Sequence, residues 1–342
     1  AGIINIITNQ SVIEGFNASV KTNTGTRVNR TSFNLNAGKN RFGISASGGA
    51  RYGWPRGGKI SSENITYGNN GSVISRYYKS GTFVGNWVGY RGSVDMYYDI
   101  NKYNNITSNI QISGHDKFNN AEEIGVDGFE YILGDTTSNK DTEYEYTINY
   151  NKTFPNKEGQ ELIISLQYGG HVHDDDKSLS QTYPNEVGLY ESNLMYPDNK
   201  FDDIDLENNM RGDGYELTGQ LDYVYPFGDD NKIEIGMKRI NRFTTNIYTT
   251  DISNVNIISW LPSDSLNNTL QYDQKVSAAY ASSTFNLVND FGILMGCRYE
   301  KTNISGSYDN YFPEFKNEYE NIVPSITVSK KLNMFKTIKL SY

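Results

Sequence analysis

No run of about 18 apolar residues occurs anywhere in the 342-residue chain, which excludes a transmembrane helix. Cysteine is nearly absent: Cys297 stands alone, so no internal disulfide can form. Histidine is scarce too, and His115, His171 and His173 leave little room for acid–base or metal chemistry. Positive charge is in deficit, with 31 Lys and Arg against 40 Asp and Glu, and this acidic balance argues against a nucleic-acid partner, which would call for a basic patch. Nor is there a nucleophile elbow, a phosphate loop, an HExxH helix or a paired-cysteine motif. An enzyme is therefore not expected, and no cofactor is implied. The chain opens on a strand-like run rather than on a charged segment followed by an apolar one, so no signal peptide is expected within it, and an exported protein would have its front end upstream of Ala1.

What is abundant is tyrosine. The chain has 27 Tyr, aromatics reach 13%, and 32 Gly accompany them. Tyrosine favours strands and also water–membrane boundaries, where its ring is buried and its hydroxyl stays wet. Mean hydropathy is low at −0.61. That value is compatible with a membrane protein whose crossings are strands, because such segments alternate polar and apolar residues.

From Ile13 onward the pattern has period two. Phe16, Ala18 and Val20 alternate with Asn17, Ser19 and Lys21; Phe33, Leu35 and Ala37 alternate with Ser32, Asn34 and Asn36. The same rhythm returns through Val88–Tyr98, Ile106–Ile112, Tyr144–Tyr150, Leu162–Tyr168, Tyr215–Tyr225, Ile233–Met237, Val276–Ser282, Phe291–Tyr299 and Ile322–Val328. Each reads as a strand with one apolar and one polar face. About 13 such strands follow the opening run. Short turns fall near residues 39, 103, 157, 229, 289 and 334. Long polar segments fall between them, from Tyr52 to about Thr82, His115 to Asp141, Val172 to Arg211, Asp251 to Leu270 and Ser305 to Glu318, and these read as loops.

That asymmetry separates two architectures. A soluble β-sandwich has no reason to sort its connections by length onto one end, and its strands run to about five or six residues. Strands of about ten residues with short turns at one end and long loops at the other describe an outer-membrane barrel. The expected fold class is all-β, a transmembrane antiparallel up-and-down barrel. Its polar face carries Lys21, Arg30, Arg91, Asp95, Glu143, Glu145, Gln167, Glu216, Gln220, Asp222, Glu234 and Lys238, groups that call for a wet lumen.

The opening stretch, Ala1–Asn9, reads AGIINIITN. Gly2–Thr8 resembles the run that closes the plug domain of TonB-dependent outer-membrane receptors, just before the barrel begins. The final Lys336–Tyr342 and the Asn- and Tyr-rich strands resemble the outer-membrane barrels of Bacteroidota. The resemblance implies a domain division, with residues 1–10 the end of a plug and 11–342 the first part of a barrel. That barrel would have about 22 strands. It also implies outer-membrane lipid around the wall, TonB as an energy-coupling partner, and import of a siderophore, glycan or peptide. A barrel built as a structural or partner-binding subunit, serving a lipoprotein or a secretion or surface-assembly complex, is the alternative.

Candidate contacts are then loop aromatics: Trp54, Tyr67, Tyr183, Tyr190, Tyr196, Trp260 and Tyr311. Aromatics beside the short turns (Tyr97, Tyr98, Tyr223, Tyr225 and Phe227) read instead as a periplasmic girdle. His171 and His173 beside Asp174–Asp176 offer imidazole and carboxylate ligands for a metal, and Asp202, Asp203, Asp205 and Glu207 offer carboxylates for calcium. Both read better as solvated loop residues, since the second group lacks the glycine and distal Glu of a calcium loop.

Thirteen is an odd number and single-chain bacterial barrels have even ones. The expectation is that the polypeptide extracted from membranes has an intact mass well above 38.6 kDa. Mass spectrometry returning 38.6 kDa would refute the incomplete-barrel reading.

Overall fold

A computed structural model describes residues 14–126, 130–182, 204–228, 231–254, 261–262, 267–309, 313–333 and 336–342. The opening plug-like run lies outside them. The described strands are β1 (Gly15–Asn23), β2 (Val28–Lys39), β3 (Phe42–Tyr67), β4 (Val73–Asn101), β5 (Asn104–Val126), β6 (Glu130–Thr153) and β7 (Glu161–Thr182). They continue as β8 (Ile204–Phe227), β9 (Asn231–Asn254), β10 (Leu261–Pro262), β11 (Asn268–Leu287), β12 (Phe291–Tyr308), β13 (Phe315–Asn333) and β14 (Lys336–Ser341). Every pairing is antiparallel, and thirteen strands follow one another in chain order while the two-residue β10 pairs β9. Among the described residues β1 and β14 each pair on one side only, so the sheet is an open wall.

The register confirms the two faces read from the sequence. Ser32 pairs Gly49, Gly49 pairs Arg91, Arg91 pairs Ser113, Ser113 pairs Glu143 and Glu143 pairs His171. Because partners across an antiparallel pair share a face, all twelve charged or amide residues assigned to the polar side fall on it. The opposite face carries Ile164, Leu166, Tyr168, Ile235 and Met237, each at least 40% exposed. Among the described residues only Ala121, Leu133, Val276 and Ala278 are buried and apolar. The wall has no conventional core; its apolar side faces outward.

The long segments expected to be loops are corrected by the structure. β3 runs on to Tyr67 and β4 starts at Val73, with only Gly68–Ser72 between them. The segment 115–141 is likewise nearly all strand, in β5 and β6. In the other three the strands β7 and β8, β9 and β11, and β12 and β13 run into both ends, with residues 183–203, 255–260, 263–266 and 310–312 outside the described residues. Apolar alternation stops where the membrane stops, since beyond it both faces meet water. The backbone ladder has no such limit and continues. At about 3.3 Å per residue, a 24-residue strand such as β8 is about 80 Å long. Crossing the hydrocarbon takes about ten residues, so roughly half of it stands clear of the bilayer.

Aromatic pairs mark the depth. Phe154 with Tyr223 (6.3 Å), Tyr223 with Tyr225 (6.5 Å) and Phe227 with Phe285 (5.7 Å) cluster near the short turns. Tyr144, Tyr168, Tyr215 and Phe243 form a second, ascending row with centroid spacings of 6.0, 6.2 and 5.7 Å. Tyr215 and Tyr225 share one face of β8, about 33 Å apart along the strand. A 45° tilt makes that about 23 Å along the membrane normal, close to the apolar band of about 25 Å that girdles flank. One expected girdle member is corrected: Tyr97 faces the lumen, where its ring covers Gly43 on the neighbouring strand.

That covering is a repeated device. Trp87 lies over Gly53, Tyr131 over Gly125, Tyr144 over Gly170, Tyr280 over Gly236 and Phe315 over Gly306, each pair directly opposed in register. A glycine leaves a gap in the pleated surface, and the opposing ring closes it.

The face assignment predicts opposite outcomes at adjacent positions. Leu166→Arg, near mid-bilayer on the outer face, is expected to cost about 2–4 kcal/mol of stability in lipid. Gln167→Arg, facing the lumen, is expected to be near neutral. Equal destabilisation of both in bilayer unfolding titrations would overturn the assignment.

Candidate functional site

The inward face from β2 to β9 lines a single concave basin of about 1400 Å³. Those strands laid flat would span about 34 Å, so one shared basin requires the sheet to curl. Its wall is divided electrostatically, with one exception on each side. On β2–β4 stand Arg30, Arg51 and Arg91 with Asp95; on β6, β8 and β9 stand Asp141, Glu143, Glu145 and Glu216 with Arg242. His115 lies between the two halves, opposite Asp141.

Below the arginines the lumen is lined by short hydrogen-bonded polar residues. Ser47 and Ser93 hydroxyls are 2.9 Å apart, Ser45 donates to Asn36 at 2.6 Å, Asn109 to Asp95 at 2.6 Å, and Gln111 to Asn109 at 2.9 Å. Farther round, charges are matched within the wall. Arg242 donates to Glu216 and also to Gln274 (3.0 Å), Lys232 to Glu234 (2.6 Å), and Arg298 to Glu300 (2.9 Å). Tyr280 donates to Asp222, which also accepts from Gln220 at 2.7 Å. These bonds, some across neighbouring strands and some between residues two apart on one strand, hold side chains upright in water, where a charged group keeps its hydration as well as its partner.

The candidate loop aromatics fare differently. Trp54 sits on β3; its indole N–H donates to the Gly25 carbonyl at 3.2 Å and its ring meets Tyr52 edge-on at 5.0 Å. That anchors the β1–β2 connection onto β3, a structural task. Tyr67 ends β3 at 61% exposed, about 43 Å farther along the strand, so the two do not form one site. Tyr183, Tyr190, Tyr196, Trp260 and Tyr311 lie outside the described residues. His171 opposes Glu143 in register, and His173 Nδ1 is 3.3 Å from Asp141. Among the described residues no three His, Cys, Asp or Glu side chains gather as a metal site. Asp205 and Glu207 stand on β8 rather than in a loop; Asp202 and Asp203 lie outside the described residues.

The sequence reading missed Arg51, Trp87, His115 and Arg242 as basin residues. Each sits just past the end of an apolar alternation, in stretches read as loop or left unassigned. Continuing the odd–even parity of the neighbouring strand would have placed them.

A family model described as the outer membrane protein beta-barrel family matches residues 152–342, more than half of the chain. The chain belongs to that family. As a member of the outer membrane β-barrel family it resides in the bacterial outer membrane. No curated protein matches it. Among solved structures it is similar to the ferric yersiniabactin uptake receptor FyuA from Yersinia pestis, at 11% identity and TM-score 0.49. That likeness covers 94% of this chain but 45% of FyuA, so the chain spans less than half of that receptor's length. It is also similar to the toluene transporter TodX from Pseudomonas putida, at 10% identity and TM-score 0.29, covering 95% of this chain and 84% of that one. A third is the outer membrane protease OmpT from Escherichia coli, at 12% identity and TM-score 0.21, covering 87% and 96%.

For this family member, the matched charges in the lumen predict a measurable coupling. Arg242 and Glu216 are both at least a third exposed, so a double-mutant cycle with Arg242→Met and Glu216→Leu is expected to give about 1 kcal/mol. A coupling of zero would show that the pair does not hold β8 to β9.

Proposed function

We propose that this chain is part of the wall of a TonB-dependent outer-membrane receptor of the Bacteroidota type, importing a ligand too bulky or too scarce for a passive pore. The observation that carries the reading is the wide, water-lined basin with opposed cationic and anionic walls. A small barrel fills its interior with side chains, whereas a very large one encloses a lumen that a plug can occupy. The plug-closing resemblance of Gly2–Thr8 supports the same assignment, as do hairpins that rise well clear of the bilayer to meet ligand outside the cell. On this reading the complete barrel has about 22 strands. The cargo is a siderophore, glycan or peptide, and the protein is a receptor and not an enzyme.

A specific feature favours a second reading. The ends of β3 and β4, beyond the membrane, expose Ile60, Tyr67, Val73, Ile74 and Tyr78, with Ile74 at 68%. Ile60 opposes Gly81 and Tyr78 opposes Glu63, so those two stand on opposite faces of the hairpin, while Tyr67, Val73 and Ile74 lie together at its tip. Exposed apolar residues at such a tip suit a protein partner, as in a barrel serving a lipoprotein or a secretion or surface-assembly complex.

The two readings part on energy coupling. Site-specific photo-crosslinking in intact cells is expected to join the whole protein to TonB, with the crosslink lost on deleting the segment before the barrel. Absence of any TonB adduct, together with a stoichiometric outer-membrane partner on extraction, would replace the receptor with the assembly subunit.

A further inference from the structure

We propose that Arg30, Arg51 and Arg91 form an anion-binding site on the luminal wall, shaped for a compact small molecule bearing two or three carboxylate or phosphate groups. The proposal names a ligand class for the uptake reading and takes its physiological meaning from it, but binding itself is tested without transport.

The register brings the three together. Arg30 pairs directly with Arg51, Arg51 pairs with Gly89, and Gly49 pairs with Arg91, all on the inward face. Arginine and glycine thus alternate across β3 and β4. The glycine at position 89 leaves the wall bare between two guanidinium groups: a Cβ built there meets nothing nearer than the Trp87 ring at 3.7 Å. All three arginines are exposed to the basin, and among the described residues none makes an ion pair or a side-chain hydrogen bond. Elsewhere on the same wall Lys232, Arg242 and Arg298 are matched by carboxylates. Like charges set opposite one another on a sheet are destabilising, so an unmatched Arg30–Arg51 pair calls for a counter-charge from outside the wall.

Ligand chemistry follows from the donors and their surroundings. A guanidinium presents a rigid fork that fits carboxylate or phosphate oxygens bidentately. Trp87, adjoining the bare floor and 38% exposed, offers an apolar face against which a flat or hydrocarbon part of the ligand can rest. The opposite wall sets the size. Glu143 lies two strands from Arg91 in register, about 10 Å away, and Asp141 and Glu145 flank it on β6. An extended polyanion would run into that carboxylate strip, whereas a compact di- or trianion would not. The strip also orients the ligand, because any positive or hydroxyl-bearing part is drawn toward it. The arginines stand near the outer limit of the apolar band, roughly level with Tyr144 and Tyr215, and so can be reached from the outside.

The test is isothermal titration calorimetry on the whole protein extracted from membranes in detergent, with citrate and inorganic pyrophosphate as separate probes. Saturable binding of at least one is expected, and the stronger of the two distinguishes carboxylate from phosphate recognition. Arg51→Gln and Arg91→Gln are each expected to weaken it about 10- to 100-fold, as loss of a charge-assisted hydrogen bond does. Arg91→Lys, which keeps the charge but not the fork, is expected to weaken it as well, and Gly89→Leu to abolish it by filling the floor. Lys238→Gln, a luminal cation away from the cluster, is expected to leave it unchanged. Retained heat-modifiable migration of each variant on gels shows that the barrel is folded. No saturable binding of either probe overturns the site. So does equal weakening by Lys238→Gln and Arg91→Gln, or full activity of Arg91→Lys and Gly89→Leu, since each would mean a diffuse field rather than a built site. A negative TonB crosslink with positive anion binding would remove the receptor reading and leave the site standing.

Discussion

The backbone hydrogen-bond ladder is the constraint on which the rest of this structure depends. In hydrocarbon an unpaired N–H or C=O costs several kcal/mol, so a chain crossing by strands must pair each one with a neighbour on both sides. Once that ladder exists, side chains are free to serve opposite solvents on opposite faces. Ile164 and Leu166 meet lipid while Ser165 and Gln167, the intervening residues, meet water. Such a wall then needs no buried apolar core, and among the described residues the few that are buried and apolar are small or isolated.

The same ladder explains why the strands overshoot the membrane. Pairing between β3 and β4 continues from the short-turn end to Tyr67 and Val73, with a register shift between Gly53 and Arg56. Above the bilayer the ladder is held by cross-strand side chains instead of by lipid exclusion. Lys79 pairs with the buried Glu123, Tyr131 donates to Tyr77 at 2.7 Å, and Lys177 lies 3.3 Å from Asp135. Rings opposed to glycines close the gaps in this surface and in the lumen, a second use of tyrosine beside the girdles.

Curvature turns a list of polar residues into a site. Arg91 and Thr244 are 153 positions apart in sequence yet line one basin. Matching of charge at Lys232, Arg242 and Arg298 and its absence, among the described residues, at Arg30, Arg51 and Arg91 give the basin a direction. It is cationic near the arginines and anionic along β6. That polarity is what a receptor reading and an anion site have in common, although each stands on its own measurement.

The sequence by itself determined the strand count, the antiparallel order and the luminal side of the twelve polar residues within the apolar alternations, though not of Arg51, Trp87, His115 and Arg242 beyond them. Those follow from period-two alternation and short turns, both local properties of the chain. It also carried the outward-facing aromatics beside the short turns, apart from Tyr97, whose neighbour Tyr98 takes the outward position. Tertiary structure alone decided the rest. Strand length above the membrane was hidden because alternation of polarity disappears where both faces are wet. The second girdle was hidden because Tyr144, Tyr168, Tyr215 and Phe243 form a row only when four strands lie side by side. The arginine cluster was hidden because Arg30, Arg51 and Arg91 become neighbours only through register, a relation between strands that no single strand's pattern contains.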